Sequence, residues 1–174
     1  DFEVRDKDDR FIRSAGITPQ EFYAKYVGLN LSDYVSLINA PTQDKPYGHS
    51  YTVKFLGNVK DGRPVRYLNV PIDVLKRAAI AQMQDGEPVW FGCDVGAFSI
   101  REGGIMDPEV LKTDELFDTE WNMDKAQRLD YGQSLMTHAM VLSGVNLDEA
   151  GKPQRWRVEN SWGKEAGKDG YYVM

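Results

Sequence analysis

The sequence predicts an α+β fold in which helices occupy the first part of the chain and an antiparallel β-meander ends it. Two helix-start signals lie in the first half, one at Thr18 and one at Pro71. After residue 136, apolar strand-like runs alternate with polar turns. Helices and strands that are separated along the chain in this way are typical of α+β domains.

The first predicted helix begins at Thr18. This residue suits the N-cap position, Pro19 suits the first turn, and Glu21 completes a capping box. Gly28 can end the helix, and a second short helix is predicted after Ser32. Residues 1–50 are therefore interpreted as a helical segment.

Residues 51–136 are interpreted as a region of hairpin, helix and loops. Apolar side chains alternate with others at Tyr51, Val53 and Phe55, which indicates a strand. The segment Val65–Val70 has the composition of its return strand, after a turn-like stretch at Asn58–Gly62. A hairpin is the prediction for this part of the chain.

The clearest helix follows this hairpin. Apolar residues recur at helical spacing across Pro71–Gln84, and Val89–Cys93 is then predicted to be a buried strand. The Gly-rich stretch Asp94–Asp118 is predicted to be irregular apart from one helical turn after Asp107-Pro108. A further helix is predicted over Met123–Leu129.

The antiparallel meander is assigned to residues 137–174. Its predicted strands are Thr137–Val145, Gln154–Ser161 and Gly170–Met174. The polar segment Asn146–Pro153 makes the turn between the first two strands.

Composition narrows the class of protein. The 174 residues are 41% hydrophobic and 28% charged, as expected of one globular domain, and contain no apolar run near the roughly 18–20 residues of a membrane span. The net charge is −6 and the basic residues are scattered, so a nucleic-acid partner is not expected. The chain lacks an initiator methionine and stops inside an apolar run, so both ends are expected to be cuts.

Only two histidines are present. His49 lies in a predicted loop where nothing would tune or orient an imidazole, and it is interpreted as a surface residue. His138 begins a predicted strand with small and apolar neighbours. On this segment alone, His138 is either a half-buried histidine bonded to a backbone carbonyl or a catalytic base.

Asn160 makes the catalytic interpretation of His138 concrete. It lies 22 residues after His138, at the end of the next predicted strand, so the two residues can meet across an antiparallel pair. An imidazole that works as a base needs a partner on its second nitrogen, and an Asn carbonyl can supply one. Trp162 could then shield the pair from water. Spacing alone leaves open whether Asn160 and Trp162 are instead ordinary strand-end and core residues.

The single cysteine, Cys93, is expected to be structural. A reactive cysteine needs a helix N-terminus or a cationic neighbour to stabilise its thiolate, whereas the carboxylate of Asp94 adjoins this one. No metal-ligand spacing is found, and neither a metal nor a cofactor is predicted.

Two motifs resemble those of a known family. The run Thr137-His138-Ala139-Met140 and the later run Val158-Glu159-Asn160-Ser161-Trp162-Gly163 resemble the His and Asn motifs of papain-like cysteine peptidases, specifically the bleomycin hydrolase and aminopeptidase C branch. Four further segments support the resemblance: Tyr51–Gly57, Glu87–Gly96, Gly132–Met136 and Gly170–Met174.

The resemblance implies a papain-like fold, of which this chain would be the β-rich C-terminal lobe with helical insertions, incomplete without the other lobe. It also implies peptide hydrolysis by thiol acyl transfer. In that reaction His138 would be general base and acid, Asn160 would orient it, Trp162 would shield the pair, and Thr137 and Ala139 would line the substrate cleft.

Expected partners also follow from the resemblance. Family members are typically cytoplasmic aminopeptidases assembled as hexameric rings, which implies peptide substrates, a missing N-terminal catalytic half and sister subunits. No membrane partner is implied. The restriction to amino-terminal trimming is attributed to the parent's own C-terminus, so the sequence does not distinguish aminopeptidase from endopeptidase.

The chain departs from the family pattern at the nucleophile. A Cys-Trp motif is expected about 130–150 residues before the histidine. Only 137 residues precede His138, and they contain neither that motif nor the oxyanion glutamine that goes with it. Two alternatives to half of an enzyme therefore stay open: a non-catalytic fragment that binds its partners, and a catalytically dead homologue that serves as a binding or oligomerisation scaffold.

Overall fold

The structure is a computed structural model that describes residues 1–110, 112–120 and 123–174. The chain divides into two compact units, Asp1–Val35 and Ser36–Met174. In the described residues, no helix is long and apolar enough to cross a membrane.

The first unit contains a hairpin followed by helical turns. Strands β1 (Phe2–Arg5) and β2 (Phe11–Ser14) pair antiparallel. Helix α1 (Pro19–Phe22) continues as a π-helical turn over Tyr23–Val27, and a 3-10 turn covers Leu31–Asp33.

The predicted capping box is confirmed. The Thr18 hydroxyl accepts the Glu21 N–H, and the Glu21 carboxylate accepts the Thr18 N–H at 2.8 Å. Gly28 ends the helical stretch with a φ of 65°, as its position predicts. The second short helix starts at Leu31 rather than after Ser32, because the Asn30 side chain caps it by accepting the Ser32 N–H. The hairpin was not anticipated within the segment interpreted as helical.

The second unit is built on a six-stranded sheet and a three-stranded sheet. In chain order its elements are β3 (Ser36–Ile38), β4 (Ser50–Tyr51), β5 (Tyr67–Asn69), α2 (Ile72–Gln84), β6 (Val89–Cys93), β7 (Ser99–Ile100), β8 (Ile105–Met106), α3 (Thr113–Phe117), α4 (Lys125–Asp130), β9 (His138–Leu147), β10 (Pro153–Glu159) and β11 (Tyr171–Val173). The larger sheet has the order β6-β9-β10-β11-β8-β7 and is antiparallel except for the β11–β8 pair. The smaller sheet has the order β3-β5-β4.

The core lies against one face of the larger sheet, where α2 packs on β6 and β9. Met140 and Leu142 of β9 are buried there with Val158 of β10 and Tyr172 of β11. Side chains alternate between the two faces of a strand, so the residues next to these buried ones point to the other face of the sheet. The central β9 and β10 are therefore the best-anchored strands of the chain.

The predicted strand through Tyr51, Val53 and Phe55 is wrong beyond its first residue. Strand β4 ends at Tyr51, and Phe55 is fully exposed with a φ of 63°. The strand that pairs with β4 is β5, which has only three residues. The register pairs Ser50 and Tyr51 with two of them. An alternating apolar pattern does not make a strand where no partner strand continues.

Three other predictions need correction. Val89–Cys93 has the predicted bounds, but it is an edge strand and Trp90 is 79% exposed, so the strand is not buried. After Asp107-Pro108 the structure has a single hydrogen-bonded turn, in which Val110 donates its N–H to the Asp107 carbonyl at 3.2 Å, and the described residues form no helix there before Thr113. The short strands β7 and β8, which were not predicted, precede this turn. Helix α4 starts two residues later than predicted because Asp124 caps it.

The remaining elements agree with their predictions. Helix α2 covers Ile72–Gln84, within one residue of the predicted range. The predicted meander is present as β9, β10 and β11.

Gly167 provides a test of the close packing between β11 and the loop before it. Its φ is +66°, and a Cβ there would lie 2.4 Å from the Tyr171 carbonyl oxygen and 2.9 Å from the Tyr172 ring. We expect Gly167→Ala to lower the free energy of unfolding by about 2–5 kcal/mol, from backbone strain plus overpacking. Gly151 is the matched control, because it has a φ of +76° and nothing within 4 Å of a Cβ.

Gly151→Ala should cost only the backbone strain, about 1 kcal/mol. Urea unfolding of both variants measures the difference. Equal losses for the two variants would show that the β11 packing tolerates a methyl group.

Candidate active site

His138 is held at the start of β9. It lies opposite Cys93 of β6 in the sheet register and is half-buried. The residue before it, Thr137, donates its N–H to the Cys93 carbonyl and accepts the Val95 N–H on its hydroxyl, both at 3.1 Å. These bonds fix the backbone that carries His138, on the same strand face as the buried Met140.

Asn160 follows the last residue of β10. Its N–H donates to the carbonyl of Gly170, the residue just before β11, at 3.0 Å. Because β9 and β10 are antiparallel, the end of β10 lies near the start of β9. The His138 Nε2 and Asn160 Oδ1 atoms are 2.9 Å apart.

A bulge in β9 places the side chains of Asn160 and His138 on the same face of the sheet. The register pairs Arg157 with Gly144 but Val158 with Leu142, so Ser143 is an extra residue in β9. Continued by one residue, this register sets Asn160 opposite Met140, on the same face as His138. Without the bulge Asn160 would oppose Val141 and its side chain would point to the other face.

The hydrogen bonds around Asn160 define the proton on His138. The Asn160 Oδ1 atom also accepts the Ser161 N–H at 2.8 Å, so the amide oxygen, not the NH₂ group, occupies this position. The His138 Nε2 must therefore carry the hydrogen and donate it. In the neutral ring this leaves Nδ1 as the basic nitrogen, and among the described residues Nδ1 has no hydrogen-bond partner.

Trp162 stacks on the imidazole. The ring centroids of His138 and Trp162 are 4.5 Å apart and their planes are inclined by 19°. Because the indole is stacked on the imidazole, it separates that face of the His138 ring from solvent. Trp162 itself is 40% exposed. The predicted association of these two residues with Asn160 is present in the structure.

Thr137 and Ala139 are also near His138 in sequence, and both are exposed. Their side chains alternate with that of His138 along the strand, so they point away from the imidazole face. Ala139 lies opposite Gly92 of the edge strand β6. The cleft-lining role of these two residues stays a prediction.

Cys93 lies opposite His138 but lacks the environment of a nucleophile. It is half-buried and packs against the core. Burial and the adjacent Asp94 carboxylate raise the pKa of the Cys93 thiol to about 11, so the thiolate is scarce at neutral pH. No hydrogen bond joins Cys93 to the imidazole within the residues that the structure describes. These features agree with the structural role predicted from sequence.

His49 is exposed, and its backbone carbonyl accepts the Asn69 N–H. It lies in the loop just before β4, as predicted. Across residues 1–110, 112–120 and 123–174, no group of three or more His, Cys, Asp or Glu side chains is arranged to hold a metal ion.

Two neighbours of Trp162 escaped the sequence analysis. The Tyr172 ring meets the indole edge-on at 6.3 Å, and the Arg101 guanidinium lies over the indole at 5.6 Å from its centroid. In the sequence, Tyr172 is only one member of the apolar run that ends the chain. Arg101 lies in a Gly-rich turn far from the His and Asn motifs, and nothing in the sequence marks it.

Comparison with known proteins places these motifs in a family. Residues 1–174 match the model of the Peptidase C1-like family. Aminopeptidase C from Streptococcus thermophilus is 59% identical over 173 residues, which cover 99% of this chain and 39% of that protein. Aminopeptidase C from Lactococcus lactis subsp. cremoris is 56% identical with the same coverage. The crystal structure of PepW from Lactobacillus rhamnosis HN001 matches with a TM-score of 0.92 and 58% identity, over 99% of this chain and 38% of PepW.

The chain therefore belongs to the Peptidase C1-like family, as the His and Asn motifs suggested. The predicted α+β, papain-like fold is confirmed as a partial domain. The chain spans 39% of the length of the curated relatives named here.

The raised pKa of Cys93 predicts slow alkylation in the folded protein. Its thiolate fraction near neutral pH should be about 100-fold lower than in the unfolded chain, because the pKa moves from 9.0 to about 11. Iodoacetamide labelling followed by peptide mapping, with and without urea, measures the ratio. The folded rate should climb as the pH approaches 11.

Asp94→Asn serves as the control. It removes the second cause of the raised pKa, so we expect faster labelling of Cys93. Rapid labelling of folded Cys93 at neutral pH, unchanged in Asp94→Asn, would contradict this assignment.

Proposed function

We propose that this chain supplies the histidine and asparagine of the active site in a cysteine-type aminopeptidase, and that the nucleophilic thiol comes from residues outside it. One observation carries the proposal: the Nε2–H of His138 is bonded to Asn160 beneath the Trp162 ring, and Nδ1 has no hydrogen-bond partner among the described residues. An imidazole fixed through one nitrogen and open at the other is the arrangement that a cysteine–histidine pair needs.

The acylation step uses the free nitrogen of His138. In the resting pair, Nδ1 holds the proton of the thiol, so the ring is an imidazolium and the sulfur a thiolate. The thiolate attacks the peptide carbonyl carbon and forms a carbon–sulfur bond. As the carbon–nitrogen bond breaks, Nδ1 gives its proton to the leaving amine, and the acyl group remains as a thioester.

The deacylation step reverses the role of His138. The neutral Nδ1 accepts a proton from water, and the resulting hydroxide adds to the thioester carbon. The carbon–sulfur bond then breaks, the carboxylic acid leaves, and the thiolate–imidazolium pair is restored. His138 acts as acid in the first step and as base in the second.

Asn160 and Trp162 keep this imidazole in position. A neutral amide oxygen accepts the Nε2–H in both charge states of the ring and adds no negative charge that would draw the proton away from Nδ1. The Trp162 indole covers the bonded pair and limits competition from water. We also assign Thr137 and Ala139 to the wall of the substrate cleft, through the backbone that flanks His138, since both side chains point away from the imidazole.

The substrate class rests on the relatives. The proteins from Streptococcus thermophilus and Lactococcus lactis carry the name aminopeptidase C, and each is more than half identical to this chain. We infer peptide substrates trimmed from the amino end, a cytoplasmic location and a hexameric ring. Nothing in the described residues indicates a membrane or nucleic-acid partner.

A second candidate is a scaffold that binds without catalysis. Several large apolar side chains of the second unit are exposed: Phe55, Trp90, Leu116, Phe117, Leu135 and Met136. Large exposed apolar side chains are the kind of surface that a protein partner covers. A partner that brings the thiol and a partner that only assembles with the chain would cover them equally well.

A peptidyl epoxide that targets cysteine peptidases tests the proposal. In the longer protein that contains this chain, intact-mass analysis should find one adduct, on a cysteine outside residues 1–174. His138→Ala should lower kcat/KM for an amino-acid amide about 10²–10⁴-fold, because general acid–base catalysis is lost. Asn160→Ala should lower it about 10- to 100-fold, the loss of a hydrogen bond to a charged ring.

His49→Gln is the matched control, since His49 is the other histidine of the chain and is exposed. It should leave kcat/KM unchanged. An adduct on Cys93 of this chain alone, prevented by His138→Ala, would make Cys93 the nucleophile and refute the proposal. No adduct on either protein would favour the scaffold.

A further inference from the structure

Trp162 is held by side chains rather than by the sheet. It lies in the loop between β10 and β11, and it is exposed whereas His138 and Asn160 are half-buried. A loop tryptophan that is 40% exposed has several rotamers open to it unless contacts select one. The contacts that select the rotamer of Trp162 therefore decide whether it stays on His138.

One edge of the indole packs against the buried Tyr172. Tyr172 is 1% exposed and lies on β11, where it pairs with the fully buried Val158. Its ring packs against the backbone of Gly167, where no side chain could fit. The edge-on contact of Tyr172 limits how far the indole can move toward the core.

Arg101 provides a second contact to the indole. Its guanidinium lies 5.6 Å from the indole centroid, within cation–π range. Its backbone carbonyl accepts the N–H groups of Gly167 and Gly104, so the turn that carries Arg101 is bonded to the loop after Trp162. No carboxylate of the described residues lies within ion-pair distance of this guanidinium, and its cation–π contact is with the indole.

We propose that Arg101 is a positioning residue, which holds Trp162 in the rotamer that stacks on His138. The inference rests on the proposed function of His138 and concerns how its ring is kept in place. Arg101 acts through the indole and not on the substrate. Without Arg101, the Trp162 ring could adopt rotamers that point into solvent. Water would then reach the His138–Asn160 hydrogen bond, and the imidazole would be less well oriented.

A double-mutant cycle in the longer protein tests whether Arg101 acts through Trp162. Arg101→Gln should lower kcat about 2- to 5-fold, the worth of an exposed cation–π contact, with KM unchanged. In a Trp162→Leu background, Arg101→Gln should have no further effect, since the ring on which it acts is gone. Arg101→Lys, which keeps the charge but not the planar group, should recover only part of the loss.

Arg157→Gln is the matched control. The Arg157 guanidinium lies 4.0 Å from the Tyr171 ring, a comparable contact on an aromatic ring that does not touch His138. This variant should leave kcat and KM unchanged. A fall in kcat equal to that of Arg101→Gln would show a general effect of weakening the fold.

The outcomes separate this inference from the proposed function. If His138→Ala keeps full activity, the proposed function fails. If His138→Ala is inactive but Arg101→Gln lowers kcat equally in both Trp162 backgrounds, Arg101 acts independently and only the positioning role is overturned. A rise in KM restricted to substrates with a free carboxylate would make Arg101 a substrate-binding residue instead, and full recovery by Arg101→Lys would make its role one of charge.

Discussion

The site depends on one local irregularity, the bulge at Ser143 in β9. The pairing of β9 with β10 brings the two strand ends together, but pairing alone would turn Asn160 to the wrong face. One extra residue shifts the register, so Asn160 and His138 share a face and bond at 2.9 Å. The bulge has a cost, since the Ser143 hydroxyl is buried without a partner in the described residues. The core strands are thus distorted at the position that aligns the side chains of His138 and Asn160.

The sequence predicted the elements that depend on local signals. The capping box at Thr18, helix α2 and the three strands of the meander all carry their information in neighbouring residues. The strand predicted over Tyr51–Phe55 was wrong beyond Tyr51, although the apolar alternation is there, because β5 has no residue left to pair with it. The length of β5 cannot be deduced from the Tyr51–Phe55 segment itself. The His–Asn pair could be predicted because His138 begins one strand and Asn160 follows the end of the next, so the two residues lie at adjoining strand ends. The bulge that brings them together leaves no mark in composition or periodicity. Arg101 could not be found, because its contact with Trp162 joins two turns distant in sequence.

Proximity to the imidazole does not make a nucleophile, and Cys93 illustrates why. It is the register partner of His138, yet burial and the carboxylate of Asp94 favour the neutral thiol. The same face that buries Met140 and Leu142 takes the Cys93 side chain into the core. A productive thiol would have to approach the open Nδ1 of His138 from outside the sheet, where the described part of the chain offers no partner. The large exposed side chains of Trp90 and Met136 lie on the other face of β6, so a thiol that reaches Nδ1 would leave them to a separate contact.

The amide of Asn160 shows how the site trades stability for orientation. Its oxygen serves two donors, the His138 ring and the Ser161 backbone, while its Nδ2 is buried with no partner among the described residues. An unmet buried donor costs about 1–3 kcal/mol, so the arrangement would be avoided if packing alone were optimised. Turning the amide would set Nδ2 against the Ser161 N–H and lose that bond, because two donors cannot bond to each other. The orientation that leaves one donor unmet is therefore the one that fixes the proton on Nε2 of His138, and it keeps Nδ1 available for chemistry.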